Sequence, residues 1–152
     1  MAEQTLALLD RRAIRLAERA ADRDDAVGRC GDVLVELGAV TPAYTESMLE
    51  RERSVSTYMG EGVAIPHGTL AGKDSVLRDA LAVLKFPDGV DWNGSPVTVC
   101  IAIAVRGDGH LTLLAELAEV LLDPDRARAL RDADDPDEVL RLLSPAADEE
   151  GS

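Results

Sequence analysis

The sequence predicts a single α/β domain in which a mixed sheet is flanked by helices, and three observations carry that expectation. Strand-like and helix-like segments alternate along the chain. Val97 to Val105 is a near-continuous apolar run, interrupted by Thr98, of the kind buried on both faces of a sheet, so helices must cover both sides. And 152 residues suit one domain, which at this size buries about two thirds of its unfolded surface.

Taken in order, residues 6 to 20 leave two readings open. Leu6, Leu9, Ala13, Leu16 and Ala20 fit a helix, whereas Ile14, Leu16 and Glu18 fit a short strand. Asp22 reads as the N-cap of a helix running through Val27, Val33, Leu34 and Leu37, with Gly38 at its C-terminal end. Thr41-Pro42 is a second N-cap, with a proline at the first helical position, introducing Ala43–Arg53. Val63–Ile65, Ala80–Phe86 and Val97–Val105 read as strands. Leu111 to Leu122 is a mostly buried helix on which Thr112, Glu116 and Glu119 form one solvated stripe. Asp123-Pro124 and Asp135-Pro136 repeat the cap-and-proline pattern, with Glu138 completing something like a capping box. The domain is expected over residues 1–144, and 145–152 read as a disordered acidic tail.

Composition removes several function classes. The net charge of -13, from 16 basic and 29 acidic residues, argues against nucleic acid, whose affinity comes mostly from basic contacts to phosphates. There is no N-terminal basic region followed by an apolar core, and no stretch long enough to span a bilayer, so a cytoplasmic chain without membrane insertion is expected. Cys30 in a helix and Cys100 in a buried strand read as small core residues, not as a disulfide or metal motif.

Chemistry concentrates around Thr57–Thr69. One of only two histidines, His67, lies in the turn Ile65-Pro66-His67-Gly68, where proline restrains the backbone on the N-terminal side and glycine permits a close approach on the other. Neutral imidazole is a good nucleophile near neutral pH, and a rigid mount stores the orientation that a transfer reaction needs. His110 follows Gly107-Asp108-Gly109 and precedes an apolar helix, where a helix N-terminus disfavours imidazolium and suits a neutral N–H donor to an anion. Arg51 belongs to the charged run Glu50-Arg51-Glu52-Arg53, which reads either as a solvated helix face or as a source of one anion-binding guanidinium. The two histidines are far apart in sequence and have no convincing third ligand, which argues against a metal site.

Met48-Leu49-Glu50-Arg51-Glu52, Thr57-Tyr58-Met59-Gly60-Glu61, Ala64-Ile65-Pro66-His67-Gly68-Thr69, Lys73-Asp74, Phe86-Pro87-Asp88-Gly89-Val90, Gly109-His110-Leu111 and Asp137-Glu138-Val139-Leu140 stand in one order along the chain. That ordered set resembles the enzyme IIA domains of the bacterial phosphoenolpyruvate-dependent sugar phosphotransferase system, mannitol/fructose type, over roughly residues 10 to 143. The resemblance implies a five-stranded mixed sheet with helices on both sides, and a strand near Ile14–Ala17. It implies a phosphotransferase without a cofactor, in which His67 accepts a phosphoryl group from the histidine phosphocarrier protein and passes it to a cysteine of enzyme IIB, free or fused to the membrane enzyme IIC. In that reading His110 and Arg51 act on the phosphoryl oxygens, and Thr69, Gly68 and Glu61 line the binding site, Glu61 also orienting the loop. Thr69 after Pro-His-Gly and the second histidine look more like the mannitol proteins. The alternative is a regulatory nitrogen-related or fructose-type member, acting by phosphorylation-dependent protein binding.

Overall fold

Apolar β-strands set the architecture. The computed structural model describes residues 9–106 and 109–143, excepting the side chains of residues 70, 71, 73 and 109–114. Five strands form one mixed sheet: β1 (Leu9–Arg15), β2 (Tyr58–Gly60), β3 (Val63–Ala64), β4 (Ala80–Trp92) and β5 (Ser95–Ala104), in the spatial order β1-β4-β5-β3-β2. β1 pairs parallel to β4, β4 antiparallel to β5, β5 parallel to β3, and β3 antiparallel to β2. Successive residues of a strand point to opposite faces, yet Val99 to Ala104 are all buried, so both faces are covered.

The helices that cover them are α1 (Arg23–Glu36), α2 (Ala43–Ser54), α3 (Gly109–Leu121), α4 (Pro124–Asp132) and α5 (Pro136–Leu142), with a 3-10 turn over Leu70–Ser75. α1 packs on β4 and β5, α2 packs on α1, and α5 packs on β1. The expected five-stranded α/β domain is therefore observed. The N-terminal ambiguity resolves as strand, with Ala13 and Ile14 in the core.

Local chemistry accounts for most boundaries. Asp22 caps α1 by accepting the Asp25 N–H at 2.8 Å, and Gly38 takes the left-handed φ of +73° that ends the helix. Asp123 and Asp135 cap α4 and α5 as expected. The second cap differs: α2 has no side-chain cap, and it is the Thr41 carbonyl, not the hydroxyl, that takes the Tyr44 N–H. Thr41 is held instead by the hydrogen bond from its N–H to the Ser75 carbonyl. Glu138 does not close a capping box, because its carboxylate lies against Arg141. Glu116 departs from the solvated stripe expected for it and is buried at 5% exposure, while Glu119 remains exposed. The proposed tail falls outside the described residues.

β4 runs six residues beyond Phe86. An irregularity between Lys85 and Val90 absorbs Pro87 and Gly89, after which pairing with β5 resumes through Trp92. Asn93 and Gly94, both at positive φ (57° and 97°), then make the tight turn that Asn-Gly favours in a hairpin. A similar turn at Glu61-Gly62, with φ of 56° and 77°, joins β2 to β3. That second hairpin leads directly into the His67 segment.

Candidate functional site

β3 and β5 are parallel neighbours, so the segments that follow them leave the sheet at the same edge. The one after β3 carries His67, which pairs with Ile103 near the end of β5; the one after β5 enters α3, whose first turn carries His110. Two histidines separated by more than forty residues are thereby delivered to one end of the sheet, the position at which open α/β sheets place their ligands. The His110 side chain lies outside the described residues.

His67 is half-buried, and its Nδ1 lies 2.9 Å from the Ile65 carbonyl oxygen. A carbonyl oxygen only accepts, so Nδ1 carries the proton, and in the neutral ring the lone pair resides on Nε2. The backbone around the ring is tied down as well. Ile103 N–H donates to the Pro66 carbonyl at 2.9 Å, and Ile65 N–H donates to the Thr57 carbonyl at 3.1 Å.

One face of α2 forms the floor of this loop. The Tyr44 hydroxyl accepts the Gly68 N–H at 2.9 Å and donates to the Ile103 carbonyl at 2.8 Å, bolting the loop to β5. Burial raises the Tyr44 pKa, against the opposing pull of the Gly68 N–H, and keeps the phenol in the protonated form that this bridge needs. Ser47 Oγ accepts the Thr69 N–H at 2.8 Å and lies 2.9 Å from Thr69 Oγ1, which in turn accepts the Gly72 N–H at 3.2 Å. With Ser47 as donor in that pair, the Thr69 hydroxyl proton is left for an outside acceptor. Gly68 is required by Tyr44 and Ser47: a Cβ there would lie 2.6 Å from Tyr44 Cε1 and 2.7 Å from Ser47 Oγ.

Arg51 follows Tyr44 and Ser47 at helical spacing, so it shares the face of α2 that meets the loop. Its guanidinium donates to the Val55 carbonyl just beyond the helix. Glu61 is exposed at the hairpin turn, where its main-chain carbonyl accepts from Arg131 of α4. Of the sequence-derived candidates, then, His67, Gly68 and Thr69 form one bonded segment, Arg51 lies along its supporting helix, and Glu61 sits at the preceding turn.

Three contributors were not singled out by the sequence. Tyr44 and Ser47 are two. The third is Glu52, taken with its neighbours as part of a charged run, but buried at 2% exposure. Its Oε2 accepts the Thr57 N–H at 2.8 Å and the Trp92 Nε1–H at 2.9 Å, and its Oε1 accepts the Thr57 hydroxyl at 2.6 Å. The available signal was spacing, because Tyr44, Met48 and Glu52 recur every four residues and all are buried.

Among the described residues, no group of three or more His, Cys, Asp or Glu side chains is placed to hold a metal ion, and no helix is long and apolar enough to cross a membrane. Cys30 and Cys100 are buried free thiols; burial, together with the neighbouring Cys30, holds the Cys100 thiol pKa well above its usual value.

The overall fold is shared with known structures. The complex of enzyme IIAMTL and phosphorylated enzyme IIBMTL from Escherichia coli contains a chain that superposes with a TM-score of 0.83 at 33% identity, covering 91% of this chain and 99% of that one. The nitrogen regulatory protein IIA-Ntr from Neisseria meningitidis superposes with a TM-score of 0.80 at 26% identity, covering 91% and 97%. In sequence, the mannitol-specific phosphotransferase enzyme IIA component of Halalkalibacterium halodurans is 38% identical over 136 residues, covering 90% of this chain and 94% of the relative. The mannitol-specific EIICBA component of Pasteurella multocida is 39% identical over 146 residues, which are 93% of this chain and 23% of that protein. The chain likewise spans only 16% and 35% of two multiphosphoryl transfer proteins that it matches. The family described as phosphoenolpyruvate-dependent sugar phosphotransferase system, EIIA 2, matches residues 7–145, and the chain belongs to it.

Proposed function

We propose that this chain is a cytoplasmic mannitol-type phosphoryl carrier that takes a phosphoryl group onto His67 Nε2 from the phosphohistidine of a phosphocarrier protein and passes it to a cysteine of an enzyme IIB. Residues 1–144 form the carrier domain. The bond from His67 Nδ1–H to the Ile65 carbonyl carries the reading, since it selects the tautomer whose Nε2 is nucleophilic. In the first step the donor's N–P bond breaks as Nε2–P forms, and the positive charge growing on the ring is stabilised through Nδ1–H by the Ile65 carbonyl. In the second step a thiolate attacks phosphorus, the N–P bond breaks, and the protonated Nδ1 makes the imidazole a better leaving group. Arg51, His110 and the Thr69 hydroxyl act on the equatorial oxygens, where donors matter most in phosphoryl transfer. Gly68 keeps the backbone close to the floor of the site, and Glu61 holds the hairpin turn before it.

Mixing the chain with phosphoenolpyruvate, enzyme I and the phosphocarrier protein should add one phosphoryl group, read by intact mass at alkaline pH, and none to His67→Ala. A mutant that keeps the label overturns the assignment. Passage of the label to the cysteine of a mannitol enzyme IIB supports transport, whereas label that stops on this chain supports a regulatory carrier of the nitrogen-related kind, whose fold it also shares.

A further inference from the structure

We infer that Glu52 is the positioning residue for His67: its buried carboxylate anchors the backbone chain that holds the imidazole in its reactive tautomer. The inference rests on the proposed role of His67. The chain has three links, the first made of two hydrogen bonds and the others of one each. Glu52 takes both the N–H and the hydroxyl of Thr57, at 2.8 and 2.6 Å. The Thr57 carbonyl takes the Ile65 N–H at 3.1 Å, and the Ile65 carbonyl takes His67 Nδ1–H at 2.9 Å. Thr57 follows α2 and starts the hairpin, so fixing it sets where β2, and then β3, enter the sheet.

Glu52 Oε2 also accepts from Trp92 at the far end of β4. The carboxylate thus joins a helix, the hairpin entry and the main antiparallel pair at one point. A carboxylate suits this place because all three groups facing it are donors and it only accepts. None of the links shares a peptide unit with the next, so the effect on His67 is one of placement, not of charge carried along the chain. Removing the charge while keeping the shape should therefore matter little. The Glu52→Gln amide oxygen can serve the two N–H groups while its NH2 donates to the Thr57 oxygen.

Four variants of the full chain test this by two readouts: the ¹⁵N shifts of the His67 ring, which report which nitrogen carries the proton, and the rate of phosphoryl transfer from the phosphocarrier protein. Glu52→Ala should lose the Nδ1–H preference and transfer at least ~10-fold more slowly, as displacement of a reacting group predicts. Glu52→Gln should restore both. Thr57→Val, which loses one of its two bonds to Glu52, should shift both readouts in the direction of Glu52→Ala and decides the matter if Glu52→Ala does not fold. Trp92→Phe loses a bond on the side away from the loop, so it should lower stability and leave the His67 tautomer alone. The proposal is overturned if folded Glu52→Ala or, in its place, Thr57→Val keeps the wild-type ring shifts and rate, or if Trp92→Phe disturbs the ring as much. Should wild-type His67 take no phosphoryl group, the functional reading falls, while the ring shifts still decide the role of Glu52.

Discussion

Glu52 on α2 and Glu116 on α3 are both buried carboxylates, but Glu52 accepts three hydrogen bonds and Glu116 none among the described residues. Burial raises the Glu116 pKa, the expected response of a carboxylate withdrawn from water. The contrast extends to their surroundings. Around the His67 loop the hydroxyls of Tyr44, Ser47, Thr57 and Thr69 are all bonded, whereas the Thr98 hydroxyl on β5 has no described partner. A polar group that must hold something is paired. An unpaired one of equal burial costs stability and positions nothing, so burial alone does not mark a functional acid.

That difference is open to direct test, and the largest effect is expected at the paired acid. Glu52→Ala leaves the Thr57 and Trp92 N–H groups without an acceptor, a loss of about 3 kcal/mol at the usual cost of orphaned buried donors; denaturant unfolding should show it, and a loss below about 1 kcal/mol would show that water replaces the carboxylate.

Tyr44→Phe comes next. It strands the Gly68 N–H and the Ile103 carbonyl together, costing about 2 kcal/mol. Phosphoryl transfer should slow with it because the loop is no longer bolted to β5. Unfolding and transfer rates measured on one sample separate this from a purely structural role, for which only stability would change.

The smallest effect should have the opposite sign. Glu116→Gln is expected to stabilise the protein by about 1 kcal/mol at pH 7, because it removes a buried charge that no described donor satisfies. The folded-state pKa is raised, so the favourable contribution of Glu116 is whole below the unfolded value of about 4.3 and is lost as pH rises through the folded value. The gap between variant and wild type should therefore vanish near pH 4 and open toward pH 7. Equal thermal stability of the two proteins at pH 7 would show that Glu116 has a partner after all.

Much of this was legible in the residues themselves. Asp22, Asp123 and Asp135 announced their helices because a cap is made by bonds within three residues, and the apolar run on β5 announced its burial because it has no polar face. The Pro66-His67-Gly68 turn was likewise visible, since proline and glycine act on their own backbone. The continuation of β4 to Trp92 was missed, although Asn93-Gly94 is a strong hairpin signal, because Pro87 and Gly89 look like the end of a strand unless a bulge absorbs them.

What the sequence determined by itself was therefore the local grammar of caps and turns, the fold class, and the place of the presented histidine. Only the tertiary structure decided that Glu52 faces inward while its neighbour Arg53 faces water, and that Tyr44 and Ser47 fill the space left by the missing Gly68 side chain. The physical reason is distance along the chain. Glu52 and Trp92 lie forty residues apart, and Tyr44 and Ile103 fifty-nine, so no local pattern records which donors will meet which acceptors once the sheet has closed.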